Sequence, residues 1–137
     1  MFVLFAKLPE STADLSPWNH WRMPVVVREA TADLLRGPML VTVEYTVIPE
    51  RDAEFVAAIH QYGRIRCRAG AYRWGILRDT AVAHRYLEIF LVNSWAEHLR
   101  QHERQTLADR EVEQRLSSYV PHDPEVRHLI YANSIET

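Results

Sequence analysis

Two histidines set four residues apart, His98 and His102, stand in the stretch SWAEHLRQHERQ (residues 94–105). On a helix this spacing places both imidazoles on one face, and imidazole titrates nearest to neutrality of the common side chains. Three kinds of chemistry suit the pair. The rings can hydrogen-bond neighbouring elements or water, line a pocket in which one of them moves a proton, or ligate a metal ion. Metal binding needs more than two ligands, and no HExxH pattern, nearby cysteine or carboxylate at ligand spacing completes the set, so no metal is expected. Trp95 opens the same stretch, where its ring is expected to anchor the helix start by burial while the indole N–H finds a carbonyl.

A second group of chemically capable residues lies in two β-rich runs, MLVTVEYTV (residues 39–47) and RYLEIFLV (residues 85–92). Alternation predicts that Val41, Val43, Leu87, Ile89 and Leu91 share the helix-covered face of a sheet. Thr42, Glu44, Tyr86, Glu88 and Phe90 then point the other way. Glu44 and Glu88 are the unexpected members, because an acid under a second layer is costly unless it is paired or wet. Arg73, Arg127 and His128 are the candidate partners. One reading makes the two acids part of a salt-bridged interface between copies of the chain; the other makes them the polar end of a small-molecule pocket lined by Trp74, Tyr86 and Phe90.

The elements that must position these residues follow from local pattern. Residues 1–37 carry Pro9, Pro17 and Pro24 with Trp18 and Trp21, which predicts a linker or arm lying against something, and not a regular element. Residues 38–137 read as one domain. The first strand is followed, after Pro49, by a helix with apolar residues at Phe55, Ile59, Tyr62, Ile65 and Ala69 and a C-terminal Gly70. Arg64, Arg66 and Arg68 at its end suit a solvated, dipole-compensating terminus, and Cys67 between them reads as a small residue near a helix end, with a reactive thiol as the alternative. AYRWGIL (residues 71–77) and RYLEIFLV form an antiparallel pair, Ser94 caps a second helical region that reaches Leu116, and VRHLIYA (residues 126–132) supplies the last strand. The order strand, helix, strand, strand, helix, strand predicts an α+β, ferredoxin-like split βαβ fold with both helices on one sheet face. The bare face predicts a homodimer, two sheets stacked as a dimeric α/β barrel.

Composition narrows the function. The chain has 137 residues with 16 basic and 18 acidic side chains and no long run of either sign, so no nucleic-acid partner is expected. FVLFA (residues 2–6) is far shorter than a membrane span and lacks the layout of a signal peptide.

GPMLVTVEYTV, GAYRWGILRD, FLVNSWAEHLRQHER and VRHLIYA, in that order, resemble the soluble C-terminal domain appended to major facilitator superfamily transporters of the transmembrane secretion effector type. ADLSPWNHW followed by PVV is similar to the juncture that joins the last membrane helix to that domain. The resemblance implies a non-enzymatic cytoplasmic module at the inner face of the membrane, acting by dimerisation or ligand sensing. A membrane-embedded transporter portion would be its partner in a longer protein, although a free-standing version of the domain fits equally. The chain is similar, more distantly, to the antibiotic biosynthesis monooxygenase-like dimeric α/β barrels. That likeness implies the alternative, a cofactor-independent monooxygenase in which Trp95 and His98 or His102 orient and deprotonate a phenolic or aromatic substrate. Neither reading calls for a cofactor.

Overall fold

The computed structural model describes residues 38–96, 98, 100 and 106–132. The arm of residues 1–37 and His102 lie outside them. Strand β1 (Met39–Thr46) leads to helix α1 (Asp52–Arg68), the strands β2 (Tyr72–Arg78) and β3 (Arg85–Val92), helix α2 (Leu107–Ser117) and strand β4 (Glu125–Ile130). The four strands form one sheet in the order β2–β3–β1–β4, antiparallel at every joint. This is the expected split βαβ arrangement.

Each element has a local cause. Helix α1 begins with Asp52 and Glu54 against the positive end of its dipole and closes with Arg66 and Arg68 at the negative end. Its exit is a Schellman motif: Gly70, at φ 126°, donates its N–H to the Cys67 carbonyl at 3.1 Å, and the Ala71 N–H reaches the Arg66 carbonyl at 2.9 Å. The β2–β3 connection is held by Asp79, whose carboxylate accepts from the Ala81 and Val82 N–H groups at 2.7 and 3.1 Å. After β3 a helical turn opens at Trp95, where the His98 N–H donates to the Ser94 carbonyl at 3.0 Å. Helix α2 then starts afresh, with Thr106 and Asp109 forming a reciprocal capping box.

The core lies between the sheet and the helices. Met39, Val41, Val43 and Tyr45 of β1 meet Tyr86, Phe90 and Val92 of β3, Phe55, Ile59 and Tyr62 of α1, and Leu116 of α2. Burial of each large apolar side chain contributes roughly 1.5–3 kcal/mol.

The face of β3 corrects the alternation argument. Val43 stands directly opposite Glu88 and Val41 opposite Phe90, so Tyr86, Glu88 and Phe90 share the helix-covered face with Val41 and Val43. Leu87, Ile89 and Leu91 lie on the open face, beside Glu44, Thr42 and Leu40. Hydrophobicity misleads here because every residue of β3 except Arg85 and Glu88 is apolar or aromatic, and the carboxylate is the one that goes inside.

Candidate functional site

Glu88 is fully buried and sits at the centre of a polar cluster built from four elements. Its Oε1 accepts from the Tyr45 hydroxyl at 2.7 Å and from the Arg66 guanidinium at 3.2 Å. Its Oε2 accepts from Arg66 Nε and from the Trp74 indole N–H, the latter at 2.8 Å. Strand β1 thus brings the phenol, α1 the guanidinium, β2 the indole and β3 the carboxylate. Arg66 is sandwiched between the Tyr62 and Phe90 rings, 4.5 and 4.4 Å from their centroids. Planar guanidinium stacking and a forked ion pair together are what arginine, and not lysine, provides. Tyr62 extends the cluster by donating to Glu113 of α2 at 3.2 Å.

Trp74 reaches Glu88 because Gly63 leaves space for it. A Cβ at Gly63 would fall inside the van der Waals envelope of the Trp74 ring, so the helix presents a notch into which the indole lies. The electrostatics are those of a closed unit. Burial pushes the Tyr45 and Tyr62 hydroxyls above the ordinary tyrosine range, Tyr45 further through Glu88 and Tyr62 through Glu113. Burial would lower the Arg66 pKa, but the Glu88 carboxylate more than offsets this and raises it. Phenols held protonated and a guanidinium held charged orient one another, and none of them exchanges protons near neutrality.

A second cluster of rings lies at the other end of β3. His98 is fully buried, with the rings of Trp95 and His128 each centred 5.5 Å away and Phe90 at 6.1 Å. Trp95 meets His128 edge to face at 5.1 Å. Burial lowers the His128 pKa to about 4, so this imidazole is neutral at physiological pH. Among the described residues no group of three or more His, Cys, Asp or Glu side chains is placed to hold a metal ion.

The expected site residues therefore separate. Trp74, Glu88 and Phe90 come together around Arg66, whereas Tyr86, on the same face, turns its hydroxyl to Asp52 at 2.7 Å and packs on Phe55. Glu44 does not join them. It lies half-buried on the open face with Arg85 at 3.3 Å. Of the cations expected to neutralise the sheet acids, Arg127 pairs with Glu125 at 2.7 Å, and Arg73 contacts neither acid. Glu88 takes Arg66, for which the sequence predicts a place on a solvated helix end. The signal for Arg66 lay in its spacing: it follows Phe55, Ile59 and Tyr62 by eleven, seven and four residues, on the buried stripe of α1. Arg64 is solvent-facing, while Arg68 holds both Asp109 oxygens at 2.8 Å and ties the end of α1 to the start of α2. Cys67 is exposed.

A four-stranded antiparallel sheet with two helices packed on one face is the ferredoxin-like fold class adopted by antibiotic biosynthesis monooxygenase-like proteins. Within that class the chain belongs to the transmembrane secretion effector family, whose sequence model matches residues 1–136. Among solved structures it is similar to a protein from Caulobacter crescentus assigned to the antibiotic biosynthesis monooxygenases, with a TM-score of 0.64 and 16% identity over 77% of this chain and 100% of that one. A counterpart from Bordetella bronchiseptica has a TM-score of 0.62 and 21% identity over 72% and 100%. A variant of SnoaB, a cofactor-independent oxygenase from Streptomyces nogalater, has a TM-score of 0.61 and 15% identity over 73% and 98%. At these identities the likeness concerns the fold. No curated protein matches the chain in sequence. No helix among the described residues is long and apolar enough to cross a membrane.

Proposed function

We propose that the chain is a non-enzymatic dimerisation module of a secretion transporter of its family, working on the cytoplasmic side by stacking its open sheet face on a second copy. The observation that carries this reading is the apolar character of that face. Leu77 and Leu129 are 49% and 45% exposed, and Leu40, Leu87, Ile89 and Leu91 beside them are only half-buried. An apolar patch of this kind marks an interaction surface. The buried cluster supports the same reading, because both Glu88 oxygens are already engaged by protein donors and a substrate seeking that carboxylate would have to displace Arg66, Tyr45 or Trp74. Light scattering on the full chain tests it. The expected mass is about twice the 16.0 kDa of one chain, and a monomer at micromolar concentration overturns the reading.

A second reading, cofactor-independent oxygenation of a phenolic substrate, is favoured by the convergence of Trp95, His98 and His128, since imidazoles beside aromatic walls are the side chains that could orient a phenol and accept its proton. Oxygen uptake with an electron-rich polycyclic phenol, lost in His128→Phe, would favour it over the first. No uptake with wild-type protein removes it.

A further inference from the structure

We propose that the open sheet face binds a lipophilic carboxylate, with Arg73 holding the acid group and a row of leucines holding the tail. The reading goes beyond the dimer proposal and concerns part of the same face, so the test is chosen to separate the two.

A groove of about 380 Å³ lies at one end of this face, within the size range of small-molecule sites. Its floor is a line of side chains abreast: Leu40 of β1 stands opposite Leu91 of β3 on one side and opposite Leu129 of β4 on the other. Pro38 and Ile89 extend the apolar lining, and Arg73 is its one charged member. Adjacent strands lie about 4.8 Å apart, so from Arg73 on β2 to Leu129 on β4 the row crosses three such spacings, roughly 14 Å. A cation at one end of an apolar trough of that length matches the outline of a medium-chain fatty acid. Among the described residues Arg73 has no ion pair or hydrogen-bonded side-chain partner, whereas the other arginines of this face, Arg85 and Arg127, are paired with carboxylates.

The backbone at Arg73 is the second observation. The register between β2 and β3 slips between Tyr72 and Gly75, so β2 carries a bulge there, and Arg73 within it has φ 53°. The other non-glycine residues with positive φ, Glu50 and His84, occupy turns; Arg73 lies inside a strand. Glycine is the residue that a left-handed bulge position favours. Here a long cation occupies it, and the bulge re-aims that side chain into the groove. Strain retained at a position where glycine would fit better is expected where the side chain itself is needed.

The test is calorimetric titration of the full chain with decanoate below its micellar concentration, compared with decanol and decyltrimethylammonium. Saturable binding of decanoate, with at least tenfold weaker binding of both other amphiphiles, is expected, since a charge-assisted hydrogen bond to the carboxylate accounts for about a factor of ten. Arg73→Gly separates recognition from folding. It relieves the positive φ, so it should melt no lower than the wild type while losing about tenfold in decanoate affinity, and Arg73→Lys should retain most of it. Equal binding of decanol and decanoate, or an Arg73→Gly protein that binds decanoate as the wild type does, overturns the proposal. So does the absence of decanoate binding to a dimer, which would mean that the second copy fills the groove. Decanoate binding to a monomer would uphold the proposal and sink the dimer.

Discussion

Each face of the sheet holds residues that usually belong to the other. Under the helices lies a carboxylate with no exposure, surrounded by a guanidinium, a phenol and an indole; on the side without helices lie leucines, partly bare. At the Glu88 cluster the covered face is complete, because each polar group that burial would penalise there has a counterpart supplied from another element. The open face is unfinished by the same measure, because its apolar surface has no covering layer among the described residues. The contrast teaches where to look for function: the buried charges hold the fold, and the partner and ligand proposals both rest on the open face.

The sharpest way to break this comparison is to remove the buried carboxylate. Glu88→Ala leaves the Arg66 guanidinium inside with no counter-charge, and urea denaturation should show a loss of about 3–5 kcal/mol, enough to unfold a small domain. A loss below about 1 kcal/mol would mean that the cluster is wet and open, closer to a binding site than to a strut.

A smaller effect is expected from acidification at the ring cluster. Burial holds the folded-state pKa of His128 at about 4, below the ordinary 6.5. Between those values the folded protein binds fewer protons than the unfolded chain, so this contribution to stability is complete above about pH 6.5 and is lost as the pH falls toward 4. The loss should be on the order of 2–3 kcal/mol. Melting curves across that window check it, with His128→Phe expected to flatten the slope; an unchanged slope would assign the pH dependence to other groups.

The smallest effect belongs to the open face. Glu44→Gln removes a partner from Arg85, which keeps Asp79 at 3.1 Å, and the pair is part-exposed, so the expected change is under about 1 kcal/mol by the same urea measurement. A larger loss would show that the open face also carries structural charge, and the contrast between the faces would narrow.

Much of the architecture was legible because it rests on local pattern. The alternation in β1, the stripe of α1, the breaker at Gly70 and the β-rich pair before Ser94 each act within a few residues. What did not read locally was the choice of face in β3. In RYLEIFLV both alternating sets are hydrophobic enough to be buried, and the decision falls to Tyr45 and Arg66, distant in sequence, which need Glu88 inside. Of the candidate site, Trp74, Glu88 and Phe90 do meet, but on the helix-covered face and not on the open one, because an acid amid aromatic strand residues demands partners wherever it lies. Arg66 was missed because a charge at a helix end was assigned to the dipole, although its helical phase matched the buried stripe. Glu44 was grouped with Glu88 by parity, and that parity failed with β3.

The sheet order carries one more consequence, for how the domain is made. Strand β1 is central, paired with β3 on one side and with β4 on the other, so Met39 finds its partner Ile130 only when nearly all the described chain has been synthesised. During synthesis β1, which gives the core Met39, Val41, Val43 and Tyr45, emerges before the other described strands and waits longest for both neighbours. A topology of such distant pairings folds slowly and exposes an unpaired edge in the meantime. A nascent chain stalled before β4 would therefore present β1 as a template for any other strand within reach, and the final six-residue strand acts as the closing latch of the domain.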